Sequence, residues 1–212
     1  SHTTAWSVTQ AVGARVLEYE EGLALKAKKN EGTGQIESKI LFEEQDGIWL
    51  TLQGKSRKEY GKSKEMKVAI AYDGITETAG GRRRLSDKVA CASFDSASKF
   101  IERKEGVIAS VYNVDEIVMR VLNGDGAKWI SGQKGADTVY QLDQFHRNKA
   151  IHEYVNDPEL CSLMLELLFN QRIDDLLNTI DASINSTDEK HEQAKRKVLL
   201  DYFKNNKDAL TP

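Results

Sequence analysis

The stretch that most constrains this chain is an apolar run, Ile117 to Leu122, that ends in Asn123-Gly124-Asp125-Gly126. Such a run reads as a strand, and a strand fixes the height of the aspartate that follows it. Gly124 and Gly126 let the backbone turn sharply on either side of Asp125, with no Cβ in the way of a metal ion or a phosphate. The same four residues are also ordinary turn chemistry. The order of elements around the run bears on the choice.

Upstream, Val8, Val12, Val16, Tyr19 and Leu23 recur at helical spacing, which predicts an amphipathic helix from Thr4 to about Lys28 with Ser1-His2-Thr3-Thr4 as candidate caps. A polar, glycine-containing linker covers residues 29–34. The period then changes. Ile40, Phe42, Ile48, Leu50 and Leu52 alternate with polar residues, predicting one long strand or a bulged one, with Asp46 inside it. A charged loop, Lys55 to Lys64, leads to a second strand, Met66 to Tyr72, which ends at Asp73-Gly74. A further loop, Thr76 to Asp87, carries Gly80-Gly81-Arg82-Arg83-Arg84, and a third strand covers Lys88 to Ser93.

Asp95 or Ser96 caps the next expected helix, which runs to about Tyr112. Strand four is Glu116 to Leu122, a helical turn follows over Ala127 to Ser131, and strand five is Thr138 to Leu142. Beyond Leu142 the pattern is helical only. Asp157-Pro158 is a helix start with aspartate at the cap and proline at the first turn, Arg172 to Ile180 is helical, and Ser186-Thr187-Asp188-Glu189 reads as a capping box.

Three meander strands followed by helix-linked strands predict an α/β (α+β) fold, a ribonuclease H-like mixed five-stranded sheet with an N-terminal helix and a C-terminal all-helical appendage. The expected domains are 1–34, the helix and linker; 35–150, the core; and 151–212, the helical part. In that arrangement the first and fourth strands are central neighbours, which would bring Asp46 and Asp125 together. Two such carboxylates suit hard divalent cations, which in a two-metal site sit about 3.5–4 Å apart and stabilise the attacking and leaving oxygens of phosphoryl displacement. Asp73 is the rival for Asp46, but a second-strand position favours a turn role.

Asp143 and His146, three apart, share a helical face, so the carboxylate can orient the imidazole. Spacing alone favours the plainer reading, a helix cap followed by a solvated histidine. Arg147 and Lys149 add positive charge beside them. Arg82, Arg83 and Arg84 can grip phosphates or form a solvated loop. His2, His152 and His191 have no partner at ligand spacing and read as surface residues.

Composition removes several classes. The 212 residues carry a net charge of -3, which argues against bulk electrostatic coating of nucleic acid and leaves only local basic patches. Cys91 and Cys161 fit no zinc or redox spacing and read as reduced core residues. No apolar run is long enough to span a bilayer and no signal pattern opens the chain, so a cytoplasmic location without membrane contact is expected.

Four blocks, Phe42 to Gln53, Ile70 to Gly74, Gly124 to Ile130 and Tyr140 to His146, resemble in order the signature blocks of the Lre-type insertion-sequence transposases, bacterial DDE enzymes. Residues 1–6 are similar to the recognition helix of the helix-turn-helix preceding the core in such proteins. The resemblance implies Mg²⁺ or Mn²⁺ and cleavage and joining of double-stranded DNA at transposon ends and target; a homodimer is a further partner to consider, with the oligomeric state left open by the sequence. Asp46 and Asp125 would be the first and second metal-binding carboxylates, and Asp143 and His146 the aspartate-x-x-histidine motif near the DNA end. The family pattern places a third carboxylate, a glutamate, after a helical insertion, so an inactive fragment is expected. Two alternatives stay open: a compact two-metal nuclease using Glu159, and a non-catalytic DNA-binding or dimerisation module.

Overall fold

The computed structural model describes residues 2–31 and 34–211, without the side chain of His2. Of the candidate caps Ser1-His2-Thr3-Thr4, Ser1 and the side chain of His2, with its surface reading, lie outside the described residues, while Thr3 and Thr4 fall inside the first helix, His2–Lys28, and do not cap it. Helix α1 (His2–Lys28) opens the chain and is followed by strand β1 (Ile40–Thr51), helix α2 (Gly54–Tyr60) and strand β2 (Ser63–Tyr72). A small ribbon, β3 (Gly74–Glu77) with β4 (Arg83–Ser86), precedes β5 (Val89–Ser93) and α3 (Ala97–Ala109). Then come β6 (Met119–Gly124), the short α4 (Lys128–Ser131) and β7 (Thr138–Leu142). The remainder is helical: α5 (Gln144–Tyr154), α6 (Pro158–Phe169), α7 (Ile173–Asn185) and α8 (Lys190–Asn205).

The main sheet is mixed and has the order β5-β2-β1-β6-β7, the ribonuclease H-like arrangement with the first and fourth of its strands as neighbours. β1 pairs antiparallel with β2 from Phe42 opposite Tyr72 to Thr51 opposite Ser63, and β2 pairs antiparallel with β5. The long β1 therefore runs unbroken through its charged centre, because ladder bonds, rather than side-chain hydrophobicity, carry it there. The alternation divides that centre between two faces. Leu41, Glu43 and Gln45 are buried on one; Phe42, Glu44 and Asp46 lie on the other.

The chain forms two compact units. The first comprises Ser1–Leu122 and Gly135–Val139, the second Asn123–Lys134 and Tyr140–Pro212.

In the first unit, Leu41, Ala71, Ile108 and Tyr112 form an apolar cluster between the sheet and α3. Beside it runs a buried ionic network. Lys104 donates to Glu43 Oε2 at 2.5 Å and stands 2.9 Å from Glu105, while Arg120 bridges the same two carboxylates at 3.0 and 2.9 Å. Burial alone would push the Lys104 ammonium down, but Glu43 and Glu105 outweigh it and hold it above its ordinary range. Arg103, also buried, donates to Asp95 Oδ2 at 2.8 Å and to the Leu17 carbonyl at 2.9 Å, which ties α1 to α3. Where these helices cross, Gly106 has no room for a side chain. A Cβ there would sit 2.4 Å from the Ala24 nitrogen.

Three expectations are corrected in this unit. The α1 stripe Val8, Val12, Val16 and Tyr19 is exposed, and the helix seats itself through Glu20, Ala24 and the Arg103 bonds, contacts that apolar periodicity does not report. The charged stretch after β1 holds the one-turn-plus helix α2, none of whose residues is buried. The segment expected as a loop around Arg82 to Arg84 is an antiparallel ribbon of its own, β3 with β4.

In the second unit, α5 to α8 pack around Ile151, Met164, Leu176, Ile180, Leu199 and Phe203. The Asp157 side chain caps α6, accepting from the Glu159 and Leu160 amides, with Pro158 in the first turn as expected. The capping box proposed at Ser186 does not form. α8 starts at Lys190 with Glu189 at its cap position and no side-chain cap bond, and Thr187 Oγ1 instead accepts from the Glu189 amide. No strand follows Leu142 among the described residues, and no described helix is long and apolar enough to cross a membrane.

Candidate functional site

Asp46 lies in the first unit, in the middle of β1 opposite Val68 and half-buried. Its Oδ1 accepts from the Gly47 amide at 2.7 Å. On the same sheet face, Phe42 stacks on Tyr72 with ring centroids 5.6 Å apart, and the Tyr72 hydroxyl donates to Glu44 at 2.9 Å. Burial, then that carboxylate, pushes the Tyr72 phenol up to about 12. This leaves it a neutral donor at neutral pH.

Asp73, the rival, follows β2 in the bend before β3, beyond the last β1–β2 pair at Tyr72, whereas Asp46 pairs with Val68 in mid-strand. It also adds to the upward shift of the buried Tyr112 phenol, after burial itself. Its action on Tyr112, which packs with Leu41, associates Asp73 with the Glu43 face of β1, not that of Asp46.

The second unit holds Asp125, Asp143, His146, Arg147 and Lys149. Asp125 follows β6 directly, half-buried, and its Oδ1 accepts from the Ala127 amide at 2.8 Å, an Asx-type turn. Both flanking glycines are needed by the protein's own packing. A Cβ at Gly124 would sit 2.6 Å from Ile130 Cγ2, and one at Gly126, where φ is +98°, would sit 3.2 Å from Tyr202 and Asn206. The Tyr202 hydroxyl donates to the Asp125 carbonyl at 3.1 Å, fastening the turn to α8. Asp125 is held from both sides.

The end of β7 is locked to the same turn, since the Asp143 amide donates to the Gly124 carbonyl at 2.8 Å. Asp143 then caps α5. One oxygen, Oδ1, accepts from the His146 amide at 3.1 Å and stands 3.0 Å from His146 Nδ1. The cap and the oriented imidazole, alternatives on spacing alone, are one arrangement. The Phe145 ring meets the imidazole edge-on at 5.3 Å. Burial, with Asp125 and Asp143 acting in the same direction, pushes the Tyr140 phenol up to about 12.

Beside Asp143 opens a cleft of about 340 Å³ lined by residues that include Asn123, Gln141, Arg147, Phe169 and Gln171. Arg147 donates to the Leu210 carbonyl at 3.2 Å, while Lys149 is exposed on the same helix. No local pattern points to Tyr202 or to Gln171 of the cleft, because both are brought in from parts of the chain remote from Asp125 and Asp143. The arginines 82 to 84 belong to the first unit and are exposed on the ribbon. His152 and His191 are exposed, in keeping with a surface role.

Carboxylate oxygens are the donors that Mg²⁺ and Mn²⁺ take, so Asp46 and Asp125 fit such an ion chemically. Among the described residues no group of three or more His, Cys, Asp or Glu side chains stands ready to hold a metal.

Comparison with known proteins gives a nearly chain-long match. The model of an uncharacterised protein family, UPF0236, matches residues 4–211. The "UPF0236 protein in vanSb 3'region" of Streptococcus gallolyticus is 24% identical over 153 residues, which cover 69% of this chain and 31% of that protein. The aligned part of the chain thus spans about a third of the length of that curated relative.

Proposed function

This chain belongs to the uncharacterised protein family UPF0236, and from that premise we propose that it is the core of a DDE-type DNA transposase, cleaving and joining DNA strands at transposon ends. The observation that carries the reading is the strand order. In β5-β2-β1-β6-β7, the strand bearing Asp46 neighbours the strand that ends one residue before Asp125. On this reading Asp46 and Asp125 hold Mg²⁺ or Mn²⁺. The ion, when bound, stabilises the attacking and leaving oxygens of the displacement.

The chain's own residues supply the rest. The Asx turn and the Tyr202 hydroxyl hold Asp125 in place, so its carboxylate meets an ion without reorganising. Asp143 orients His146, which acts as a hydrogen-bonding or proton-carrying group toward the DNA end. Arg147 and Lys149, with Arg82, Arg83 and Arg84, contact phosphates of duplex DNA. Since the aligned part spans about a third of the curated relative, strand transfer is assigned to the full-length protein and not to these residues alone.

Mn²⁺ titration followed by calorimetry tests the core of the reading. Weak binding is expected, because two carboxylates make an incomplete hard-ion site, and it is lost in Asp46→Asn and in Asp125→Asn. Binding that survives both changes would remove the DDE assignment. The compact nuclease using Glu159 gains nothing from the structure: Glu159 is exposed in the first turn of α6 and belongs to no three-ligand group among the described residues. A non-catalytic DNA-binding module is separated by the same titration run with DNA, since its binding would not respond to metal.

A further inference from the structure

The ribbon β3–β4 divides the three consecutive arginines between two faces. In its antiparallel register Thr76 stands opposite Arg84, Glu77 opposite Arg83, Ile75 opposite Leu85 and Gly74 opposite Ser86. Residues directly opposite share a face. The Thr78 amide donates to the Arg82 carbonyl at 2.8 Å, which extends the pairing by one step. The chain reverses over 79–81, with the Gly81 amide bonded to the Thr78 carbonyl at 2.9 Å and Gly81 at φ +73°, the left-handed position of a three-residue hairpin loop.

One face therefore carries Thr76, Thr78, Arg82, Arg84 and Ser86, all hydrogen-bond donors and no carboxylate. The other carries Ile75, Leu85 and Arg83, with Glu77 directly opposite Arg83. Arg82, Arg83 and Arg84 are all exposed, and none has an ion-pair partner among the described residues. Unpaired guanidiniums and hydroxyls on one flat face suit a polyanion. A two-stranded ribbon fits the major groove of B-form DNA, whereas the major groove of duplex RNA is too deep and narrow for side chains to read.

We propose that the β3–β4 ribbon is a DNA-docking arm that presents its Arg82, Arg84 and threonine face to the major groove of duplex DNA, with Arg83 turned away. The inference rests on DNA being the partner, as in the reading above, and adds which element and which two of the three arginines meet it. Two strand residues span roughly 6.8 Å, about two base-pair rises of 3.4 Å, so Arg82 and Arg84 reach two separate steps of the duplex.

The test is fluorescence anisotropy of a labelled 30-base-pair duplex with the whole chain across a salt series. Each phosphate neutralised contributes about 0.9 to the slope of log K against log salt. Arg82→Gln with Arg84→Gln is expected to lower that slope by roughly 1.8, and Arg83→Gln to change it by less than about 0.5. Arg82→Lys with Arg84→Lys keeps the charge and is expected to keep the slope, which separates charge from folding. Equal losses from Arg83→Gln and from either single change, an unchanged slope in the double glutamine variant, or equal affinity for duplex RNA would each overturn the proposal. The expected slopes with no effect of metal or of Asp125→Asn would leave the arm standing and count against the transposase reading. Failure to bind any duplex would overturn both.

Discussion

Asp143 carries two duties on one oxygen, and they can be separated by substitution. Asparagine is as good a helix cap as aspartate, while alanine is not. Asp143→Ala is expected to cost about 1 kcal/mol of stability through the lost cap, and Asp143→Asn only a few tenths, read from urea midpoints. If the imidazole contact serves the reaction, both changes lower end cleavage by the full-length protein. Asp143→Asn at wild-type cleavage would reduce the residue to a cap. Tyr202 gives a second residue-scale expectation. Tyr202→Phe removes the hydroxyl bonded to the Asp125 carbonyl and keeps the ring against Gly126. Metal binding should weaken several-fold in calorimetry, alongside a stability loss of about 1 kcal/mol, the worth of one neutral hydrogen bond. Equal Mn²⁺ affinity in this variant would show that the turn holds Asp125 unaided.

Helices α1 and α3 cross at a point where backbone meets backbone. Gly106→Ala puts a methyl group 2.4 Å from the Ala24 nitrogen, so the helices must separate. Such overpacking costs roughly 1–3 kcal/mol, more than the ~1 kcal/mol that alanine gains over glycine inside a helix. A lower urea midpoint is expected, and an equal or higher one would mean that α1 does not seat on α3. This crossing also marks where the sequence stopped being legible. Strand five was readable residue for residue, Thr138 to Leu142, because its alternation is bounded by clear breaks. The start of α6 was readable because Asp157-Pro158 is a local signal. The seat of α1 was not, since it uses a glycine, an alanine and the Arg103 bonds where the pattern offers valines. The ribbon was hidden for another reason: its strands are four residues each, and charged side chains mask their period. At the candidate site, the positions of Asp46, Asp125, Asp143 and His146 on their strands and helix were legible. The supporting residues, Tyr202 above all, come from contacts far apart in the chain that no local pattern encodes.

Across the whole molecule, the ionic network under the sheet sets how stability follows pH. Burial opposes ionisation of Asp95 and Glu105, but their cationic neighbours Arg103, Lys104 and Arg120 outweigh it and hold both carboxyls below their ordinary range. Stabilisation from such groups is complete above the unfolded pKa, about 4, and is lost as pH falls through the lower folded value. Lys104, held high, stabilises below about 10.4 and ceases to do so as pH rises through its folded value. Glu20, pushed up by burial, works against the fold once ionised. Urea midpoints are therefore expected to be nearly flat from about pH 6 to 9 and to fall below about pH 4. Glu20→Gln should raise the neutral plateau, and a midpoint that climbs on acidification would contradict this account. The alternation of β1 has a last consequence. Glu43, committed to that network, and Asp46, the candidate metal ligand, are three residues apart and look out of opposite sides of one strand. Their separation is a matter of parity. A single residue gained or lost between them would have to be absorbed as a bulge, or one carboxylate would trade its surroundings for those of the other, whereas a change of two would keep both in place. This short segment should therefore tolerate length changes only in even numbers, a rule that a panel of insertions read by folding yield can check directly.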